Sequence, residues 1–403
     1  MSNYTNRERT VIPFPADLAR RKAGSRPETP DNRIVIREYD HVIFITTMIL
    51  VAFGLVMVLS ASYYAAMNSG RGMYSFFIQQ ALGAGLGFIG MVMAATFNYK
   101  LVAKFSGLIY LVALATLGLV FTPLGVEANG ALRWIDLGVV NFQPSELAKV
   151  AVIITLSVYI AKEPNRVNTL RGLFGCAVII GLPTVLVMLG RNLSTVIIIA
   201  AVGFVIIFLA SPYFWRFIVL ALAAVVALAA FLVFGEGFRA ARIEAWIDPF
   251  ADPTGFGFQI VQSLYAVASG SFFGLGLGNS NQKLYFLPEA QNDFIFAIIV
   301  EELGLFGAGI VLLLFGILVW RGAVAAMNSR SVLGCLMATG IVTMIAAQVI
   351  INVGVVTNTI PNTGIPLPFI SYGGTSIAVM MTAIGLLLNI SRYQRISPPD
   401  LKK

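Results

Sequence analysis

Long apolar runs separated by short polar segments dominate this 403-residue chain from His41 to Tyr393. A helix needs about 20 apolar residues to cross the hydrocarbon core of a bilayer. The runs are continuous and do not alternate at every second residue, which excludes the pattern of a transmembrane β-barrel. We therefore predict an all-α polytopic membrane protein with about ten transmembrane helices, near residues 42–61, 76–97, 105–122, 146–161, 172–190, 193–210, 213–234, 294–320, 332–357 and 371–391.

Composition supports this class. The chain is 58% hydrophobic and 11% charged, and its mean hydropathy is +0.85. A soluble domain carries about 25% charged residues, so a soluble fold is excluded. The two cysteines, Cys176 and Cys335, lie in apolar runs without metal-binding spacing, and we interpret them as small core residues.

The distribution of basic residues predicts the orientation. Ten helices place both termini on one side, and 20 of the 27 Lys and Arg residues fall there. Such an excess marks the cytoplasmic face, where it meets anionic lipid rather than nucleic acid. Residues 1–40 are polar, basic and proline-containing, which predicts a disordered cytoplasmic tail without a cleavable signal peptide. Residues 41–392 then form one membrane domain, and residues 393–403 form a second cytoplasmic tail.

This orientation puts residues 235–293, the connection between helices 7 and 8, outside the cell as the largest loop. The loop ends with Lys283, Glu289 and Asp293, directly before an apolar run. A carboxylate fixed at a membrane rim can accept a proton from a substrate whose tail lies in lipid. Alternatively, Asp293 caps a helix that begins near Asn292, since an acid is favourable in the first turn.

Glu301 and Glu302 follow inside the same apolar run. Carboxylates at membrane depth are costly unless they are paired or face a cavity. For both, we favour packing against polar groups of neighbouring helices over catalysis.

Three other outer segments carry candidate chemistry. Arg133 and Trp134 can hold a phosphate and stack on a sugar, or they can anchor the chain at the interface. Asp248 and Asp252 stand in two Asp-Pro steps, which mark turns but also offer a weak divalent-cation site. The segment 361–375 contains three prolines and two adjacent glycines, so it either lines a substrate cavity or forms a rigid outer turn.

Four long motifs make the sequence recognisable. They read ALRWIDLGVVNFQPSELAK, DPFADPTGFGFQIVQSLYAVASG, QKLYFLPEAQNDFIFAIIVEELG and NVGVVTNTIPNTGIPLPFISYGGTS. Together they resemble the signature regions of the SEDS family (shape, elongation, division and sporulation). The LPEA sequence and the long N-terminal tail are more similar to the FtsW and SpoVE branch of the family than to its RodA branch.

The resemblance implies a peptidoglycan glycosyltransferase that polymerises lipid II, in septal division or sporulation. It places the essential catalytic carboxylate at Asp293 and the family tryptophan at Trp134. The segment Arg191–Thr195 departs from the family pattern, which usually reads P-D-L-G-T here. Because the acid and the glycine are missing, the family role of this segment is not carried over. Arg191 instead offers a cation for pyrophosphate. Our substrate-binding candidates are Arg133, Trp134, Arg242, Gln262, Ser263, Lys283, Glu289, Ser371, Tyr372 and Gly373.

The mechanism that follows is a single inverting displacement. The Asp293 carboxylate is expected to act as general base, while cations, with Mg²⁺ or Mn²⁺ as a substitute, stabilise the departing pyrophosphate. The expected partners are lipid II, a glycan linked to undecaprenyl pyrophosphate, a class B penicillin-binding protein and other divisome proteins. Two alternatives stay open: a lipid II flippase, and a non-catalytic division scaffold.

Overall fold

The computed structural model describes residues 38–68, 70, 72–128, 131–136, 138, 141–213, 215, 244–255, 257–284 and 286–393. The helices within them are α1 (His41–Asn68), α2 (Ser75–Thr96), α3 (Tyr99–Lys104), α4 (Ser106–Leu119), α5 (Pro144–Lys162), α6 (Leu170–Leu189), α7 (Leu193–Ala210), α8 (Phe258–Ser269), α9 (Ile295–Met327), α10 (Val332–Val356) and α11 (Gly374–Arg392). A 3₁₀ helix over Pro164–Asn168 joins α5 to α6.

Eight of these helices are long and apolar enough to cross a membrane: α1, α2, α5, α6, α7, α9, α10 and α11. The predicted polytopic α-helical class is therefore confirmed. The predicted span 105–122 is shorter than expected, because α4 has only 14 residues. The predicted span 213–234 falls almost entirely outside the described residues, so the count of ten stays a prediction.

The connection before α5 is a small antiparallel sheet, which the sequence analysis did not predict. Its strands are β1 (Gly125–Ala128), β2 (Ala131–Asp136) and β3 (Asn141–Phe142), in the order β1-β2-β3. Trp134 pairs with Val126 across β1 and β2, and Ile135 pairs with Phe142 across β2 and β3. Trp134 is thus paired within the sheet, whereas Arg133 stands at an irregularity of β2, because the register passes from Trp134 to Leu132.

The predicted 235–293 loop also contains regular structure, since α8 lies inside it. Ile260, Ser263 and Ala266 are buried at three-residue spacing on one face of α8. Two side chains of this region reach the end of α10: Trp246 Nε1 donates to the Asn358 carbonyl oxygen at 3.2 Å, and Ser263 Oγ donates to that of Val356 at 2.9 Å. This part of the loop is therefore packed on the membrane domain.

Burial divides the helices into a centre and a periphery. Helices α5, α10 and α11 are buried over most of their length, whereas α2 and α6 expose most of theirs. A helix that is apolar all round, as these are, gains its position from helix packing rather than from an amphipathic stripe. The centre of the domain consequently lies at α5, α10 and α11.

Helix α9 is interrupted at Gly304, whose φ of 70° and ψ of −175° are not helical. The amides of Leu305 and Phe306 donate to the carbonyls of Ser271 and Phe272, each at 3.0 Å. In return, the amides of Leu275 and Gly276 donate to the carbonyls of Glu301 and Glu302. Because backbone groups in a membrane must be satisfied within the protein, residues 271–276 replace the hydrogen bonds that the interrupted helix lacks.

The boundary of the N-terminal tail needs a correction. Asp40, assigned above to the disordered tail, has a side chain only 4% exposed and pairs with Arg321 at 2.6 Å. The Asp40 amide donates to Ser391 Oγ at 3.0 Å. The folded domain thus begins before α1, while residues 1–37 and 394–403 lie outside the described part of the chain.

Candidate functional site

Asp293 lies in a turn immediately before α9. The helix begins at Ile295 with Phe294 at its N-cap position, and no side-chain hydrogen bond caps it there. The expectation that Asp293 occupies the first turn of a helix beginning near Asn292 is therefore wrong. Asp293 precedes the helix, and its position depends on contacts with other segments.

Two groups from distant segments stand beside the Asp293 carboxylate. Gly364 has a φ of +70°, and a Cβ built on it would lie 3.0 Å from Asp293 Oδ2. A side chain there would crowd the carboxylate in a backbone conformation that favours glycine. Arg133, on β2, also interacts electrostatically with Asp293: burial lowers the pKa of Arg133, and the negative charge of Asp293 opposes that shift.

The segment that departs from the family pattern lies in the same place. Arg133 Nη2 donates to the main-chain oxygen of Arg191 at 2.9 Å. Ser194 Oγ donates to the main-chain oxygen of Thr363, the residue before Gly364. Residues 191–194 thus connect Arg133 to the segment that faces Asp293, so they have a structural role at the site despite the missing acid and glycine.

The turn at Ser371–Gly373 is packed on the residues that precede Asp293. Ser371 Oγ donates to the Asn292 carbonyl at 2.7 Å, and the Tyr372 amide donates to the Gln291 carbonyl at 2.9 Å. Gln80, fully buried in α2, holds the turn through both ends of its amide: it donates to the Ser371 carbonyl at 3.0 Å and accepts from the Gly373 amide at 2.8 Å. Ser371, Tyr372 and Gly373 therefore support the Asp293 turn through the backbone.

A small groove opens beside Arg133. Its lining is mostly apolar, and Arg133 and Ser145 are among its few polar residues. Arg133 Nε and Ser145 Oγ are buried without a hydrogen-bond partner in the described part of the protein. The remaining lining residues are Leu117, Val120, Phe121, Leu132, Leu186, Val187, Gly190 and Asn192. An apolar groove that includes a guanidinium offers contacts to an apolar group and to an anion.

Lys283 is held in a buried ion pair. Its Nζ lies 2.6 Å from Glu302 Oε1, with side-chain exposures of 3% and 0%. Ser60 Oγ, from α1, donates to Glu302 at 2.7 Å. In this structure Lys283 is thus a partner of Glu302 rather than a cation that faces a pyrophosphate.

Glu301 is satisfied from the same loop. Its carboxylate accepts from Ser280 Oγ and from the amide of Asn281, the latter at 3.0 Å. We predicted polar partners on neighbouring helices; for Glu302 one is Ser60 of α1, whereas Ser280, Asn281 and Lys283 lie in the loop before α9.

The other predicted site residues divide into two groups. Glu289 stays near Asp293, since Asn292 Nδ2 donates to its carboxylate. Ser263 is fully buried and its hydroxyl donates to Val356, so it links α8 to α10. Gln262 is half-buried on the same helix. Arg242 lies outside the described residues.

The weak metal site receives no support from the described residues, which contain no group of three or more His, Cys, Asp or Glu side chains that could hold a metal ion. Asp248 and Asp252 are exposed. Asp248 Oδ1 accepts from the amide of Phe250 at 3.1 Å, and Asp252 Oδ1 accepts from that of Gly255 at 3.0 Å. These are turn-capping contacts, which fits the alternative interpretation of the two Asp-Pro steps.

Several residues at the site were missed by the sequence analysis: Gln80, Ser194, Asn352 and Gly364. Gln80 and Asn352 did carry a signal, because an amide inside an apolar run must find a partner within the protein. Which partner each amide would find was not visible from sequence.

The arrangement brings one carboxylate and one guanidinium within electrostatic reach of each other. The carboxylate can accept a proton, and the guanidinium can hold a phosphate through hydrogen bonds that an ammonium group cannot match in geometry. Such a site suits chemistry on a lipid-linked phosphate ester.

Comparison with known proteins agrees with this assignment. Residues 40–396 match the family "Cell cycle protein" (FTSW_RODA_SPOVE), which confirms the resemblance noted from the motifs. The chain is 41% identical to "Stage V sporulation protein E" of Bacillus subtilis over 360 residues, covering 88% of this chain and 98% of that protein. It is 37% identical to a "Probable peptidoglycan glycosyltransferase FtsW" of Geobacter sp. strain M18 over 362 residues, covering 89% and 98%.

The fold is also similar to a solved structure. A chain from the work described as "Structural coordination of polymerization and crosslinking by a peptidoglycan synthase complex" superposes with a TM-score of 0.73. The two are 25% identical, and the match covers 89% of this chain and 99% of that one. The similarity thus extends over nearly the whole membrane domain.

Proposed function

Because this chain belongs to the FtsW, RodA and SpoVE family, we propose that it is a peptidoglycan glycosyltransferase that polymerises lipid II into β-1,4 glycan strands. The observation that carries the proposal is the Asp293 carboxylate, which lies directly before a membrane helix, faces Gly364 and is within electrostatic reach of Arg133. Relatives named as probable peptidoglycan glycosyltransferases match over about nine tenths of the chain. Its apolar helices make it a membrane protein, and we propose the cytoplasmic membrane at the division septum as its site of action.

In the proposed reaction, the acceptor is the 4-hydroxyl of the N-acetylglucosamine in lipid II. Asp293 removes the hydroxyl proton as the oxygen attacks the anomeric carbon of the terminal N-acetylmuramic acid of the growing strand. The bond from that carbon to undecaprenyl pyrophosphate breaks, and the pyrophosphate takes the electron pair. One displacement inverts the α-linked donor into a β-1,4 bond, and Asp293 later releases its proton to water.

Arg133 is the cation best placed for the leaving group. Its Nη2 donates to Arg191, but its Nε is buried and without a partner among the described residues. A guanidinium held by a backbone oxygen is preorganised, so its charge stabilises the developing pyrophosphate without a reorganisation cost. Trp134 follows on β2 and is our candidate for stacking on a sugar ring. A contribution from Mg²⁺ or Mn²⁺ stays a prediction, and no step above depends on it.

Polymerisation by the purified full-length chain tests the proposal. Incubation with fluorescent lipid II is expected to give a ladder of glycan strands on a gel, which lysozyme digests. Reconstituted vesicles containing labelled lipid II separate this activity from the flippase alternative. Transbilayer movement without glycan product would favour a flippase, and neither activity would favour a scaffold.

We propose that the groove beside Arg133 binds the polyprenyl chain next to the pyrophosphate. Leu186 lines the groove, whereas Leu189, about one turn further along α6, is 64% exposed. Leu186→Trp should fill the groove and raise the KM for lipid II about three- to tenfold, equivalent to roughly 0.7–1.4 kcal/mol of binding. Leu189→Trp is the matched control and should leave KM unchanged. Equal effects of the two substitutions would mean that the groove is not used.

We also propose that both termini are cytoplasmic and that the α8 region is external, on the basis of the basic-residue distribution. In a chain with Cys176 and Cys335 replaced by Ala, the Thr254→Cys variant, at an exposed position just before α8, should react with an impermeant maleimide on intact cells. The Ser25→Cys variant should react only after lysis. The opposite labelling pattern would reverse the orientation and place Asp293 on the wrong side for glycan synthesis.

The proposed partner is a class B penicillin-binding protein, which would cross-link the strands. The similar solved chain belongs to a complex described as coordinating polymerisation with crosslinking. This chain does contain the Ser-x-x-Lys spacing of an acylation site at Ser280–Lys283. There, however, the serine hydroxyl is bonded to Glu301 and the lysine is paired with Glu302. The pair is therefore structural, which supports a separate transpeptidase as the partner.

We favour the outer halves of α9 and α10 as the docking face for this partner. Co-purification from detergent, with the native chain and with the Ile310→Trp and Ile350→Trp variants at exposed positions of these helices, tests the surface. Both substitutions should reduce recovery of the penicillin-binding protein. Full activity of the chain with no penicillin-binding protein recovered would argue against an obligate partner.

A further inference from the structure

Asn352 contacts the Asp293 turn directly. It lies near the C-terminal end of α10 and is 1% exposed. Its Nδ2 donates to the main-chain oxygen of Asp293 and to that of Ile365, both at 2.7 Å. Both hydrogens of one amide are therefore used to join two segments that are distant in sequence.

Both segments that Asn352 joins contribute to the surroundings of Asp293. One is the turn that ends at Asp293, and the other begins next to Gly364, which faces Asp293 Oδ2. Asp293 precedes the first residue of α9, and contacts from other segments hold the turn in which it lies. Ser371 and Tyr372 hold the carbonyls of the two preceding residues, whereas Asn352 holds the carbonyl of Asp293 itself.

We propose that Asn352 is a positioning residue for the Asp293 carboxylate: it fixes the distance between the Asp293 backbone and the Gly364 segment. The inference rests on the proposed role of Asp293 as general base. A displacement of about 1 Å at a reacting group can cost roughly 10²-fold in rate. Loss of the two hydrogen bonds should consequently lower kcat more than it raises KM.

Asn352 also stabilises the fold, because it satisfies buried backbone oxygens. A matched control distinguishes this structural role from the positioning role. Gln348 lies one turn away on α10 and is also 1% exposed. Neither polar atom of its amide has a partner within the described part of the chain. Gln348→Leu therefore removes a buried amide from the same helix without removing a contact to Asp293.

The experiment compares the full-length Asn352→Leu and Gln348→Leu variants, purified in detergent, in steady-state polymerisation of lipid II. For Asn352→Leu we expect kcat to fall about 10- to 100-fold, with KM changed less than about threefold. Gln348→Leu should keep kcat within about twofold of the native value. Equal losses in both variants, or a rise in KM alone, would overturn the proposal.

Amide hydrogen exchange gives a readout that does not depend on activity. Peptides covering residues 286–300 should exchange faster in Asn352→Leu than in the native chain, and at the native rate in Gln348→Leu. Unchanged exchange in Asn352→Leu would overturn the anchoring role. If the native chain makes no glycan, the proposed function fails, yet the exchange result still decides whether Asn352 holds this turn.

Should Asn352→Leu not fold, Asn352→Ser replaces it in both measurements. Serine is small and tolerated in buried membrane helices, but its hydroxyl is too short to reach both carbonyl oxygens. The same pattern is expected: reduced kcat, similar KM and faster exchange before α9. A serine variant with native kcat and native exchange would show that the two hydrogen bonds do not position Asp293.

Discussion

Replacing Asp293 with Asn is expected to lower kcat for lipid II polymerisation by about 10²–10⁴-fold, the usual contribution of a general base. The amide keeps the shape of the side chain but cannot accept the hydroxyl proton. Initial rates of glycan formation from fluorescent lipid II measure the effect. The unfolding temperature in detergent should change little, because the contacts of Asn352 and Gly364 with this turn involve the backbone or the space beside it.

Asp136→Asn is the matched control for this substitution. Asp136 is exposed at the end of β2, and its Oδ1 accepts a local hydrogen bond from the Gly138 amide at 2.7 Å. Its replacement should leave turnover near the native value. Near-native turnover of Asp293→Asn would instead show that Asp293 is not the base, and Glu289, in the same turn, would become the next carboxylate to test.

Lys283→Met is expected to reduce the free energy of unfolding by about 3–5 kcal/mol, the cost of leaving one partner of a buried ion pair uncompensated. Glu302 is fully buried, so its carboxylate would lose the ammonium group 2.6 Å away and keep the hydrogen bond from Ser60. Denaturant or thermal unfolding in detergent measures the loss. Lys162→Met, at a lysine that ends α5 near the surface, is the control and should have little effect.

The double variant Lys283→Met/Glu302→Gln tests the cause of that loss. Removing both charges leaves no unpaired ion, so most of the stability should return. If the double variant is as unstable as Lys283→Met, the ion pair is not the reason. Polymerisation by a stable double variant decides the role of Lys283: native activity means that the lysine is structural, and lost activity means that it also acts on substrate.

The ion pair has a further consequence for the site. Residues 280–283 are tied to Glu301 and Glu302, while residues 291–293 are tied to Asn352, Ser371 and Tyr372. The segment that delivers Asp293 is thus fixed at both ends by residues from α9, α10 and the turn before α11. This explains how a carboxylate outside regular structure can hold one position.

Much of the fold was determined by the sequence alone. Membrane crossing depends on the length of a segment and its content of apolar side chains, which are local properties. Eight spans were therefore located within a few residues, except at the longer C-terminal ends of α1 and α9. The sheet and α8 were missed because their strands and helix are short and lie in polar segments. Short elements of this kind are stabilised by pairing with distant segments, as between Ser263 and Val356.

At the candidate site, too, some features follow from the sequence and others only from the tertiary structure. Sequence identified Asp293, Arg133 and the Ser371–Gly373 turn through motifs, because residue type and local order suffice for that. Only the tertiary structure shows that Lys283 forms an ion pair with Glu302 and that Asn352 donates a hydrogen bond to the Asp293 carbonyl. A buried charge or amide requires a polar partner, and this requirement is visible in the sequence. The identity of the partner depends on how helices that are distant in sequence pack together, so no local sequence pattern predicts it.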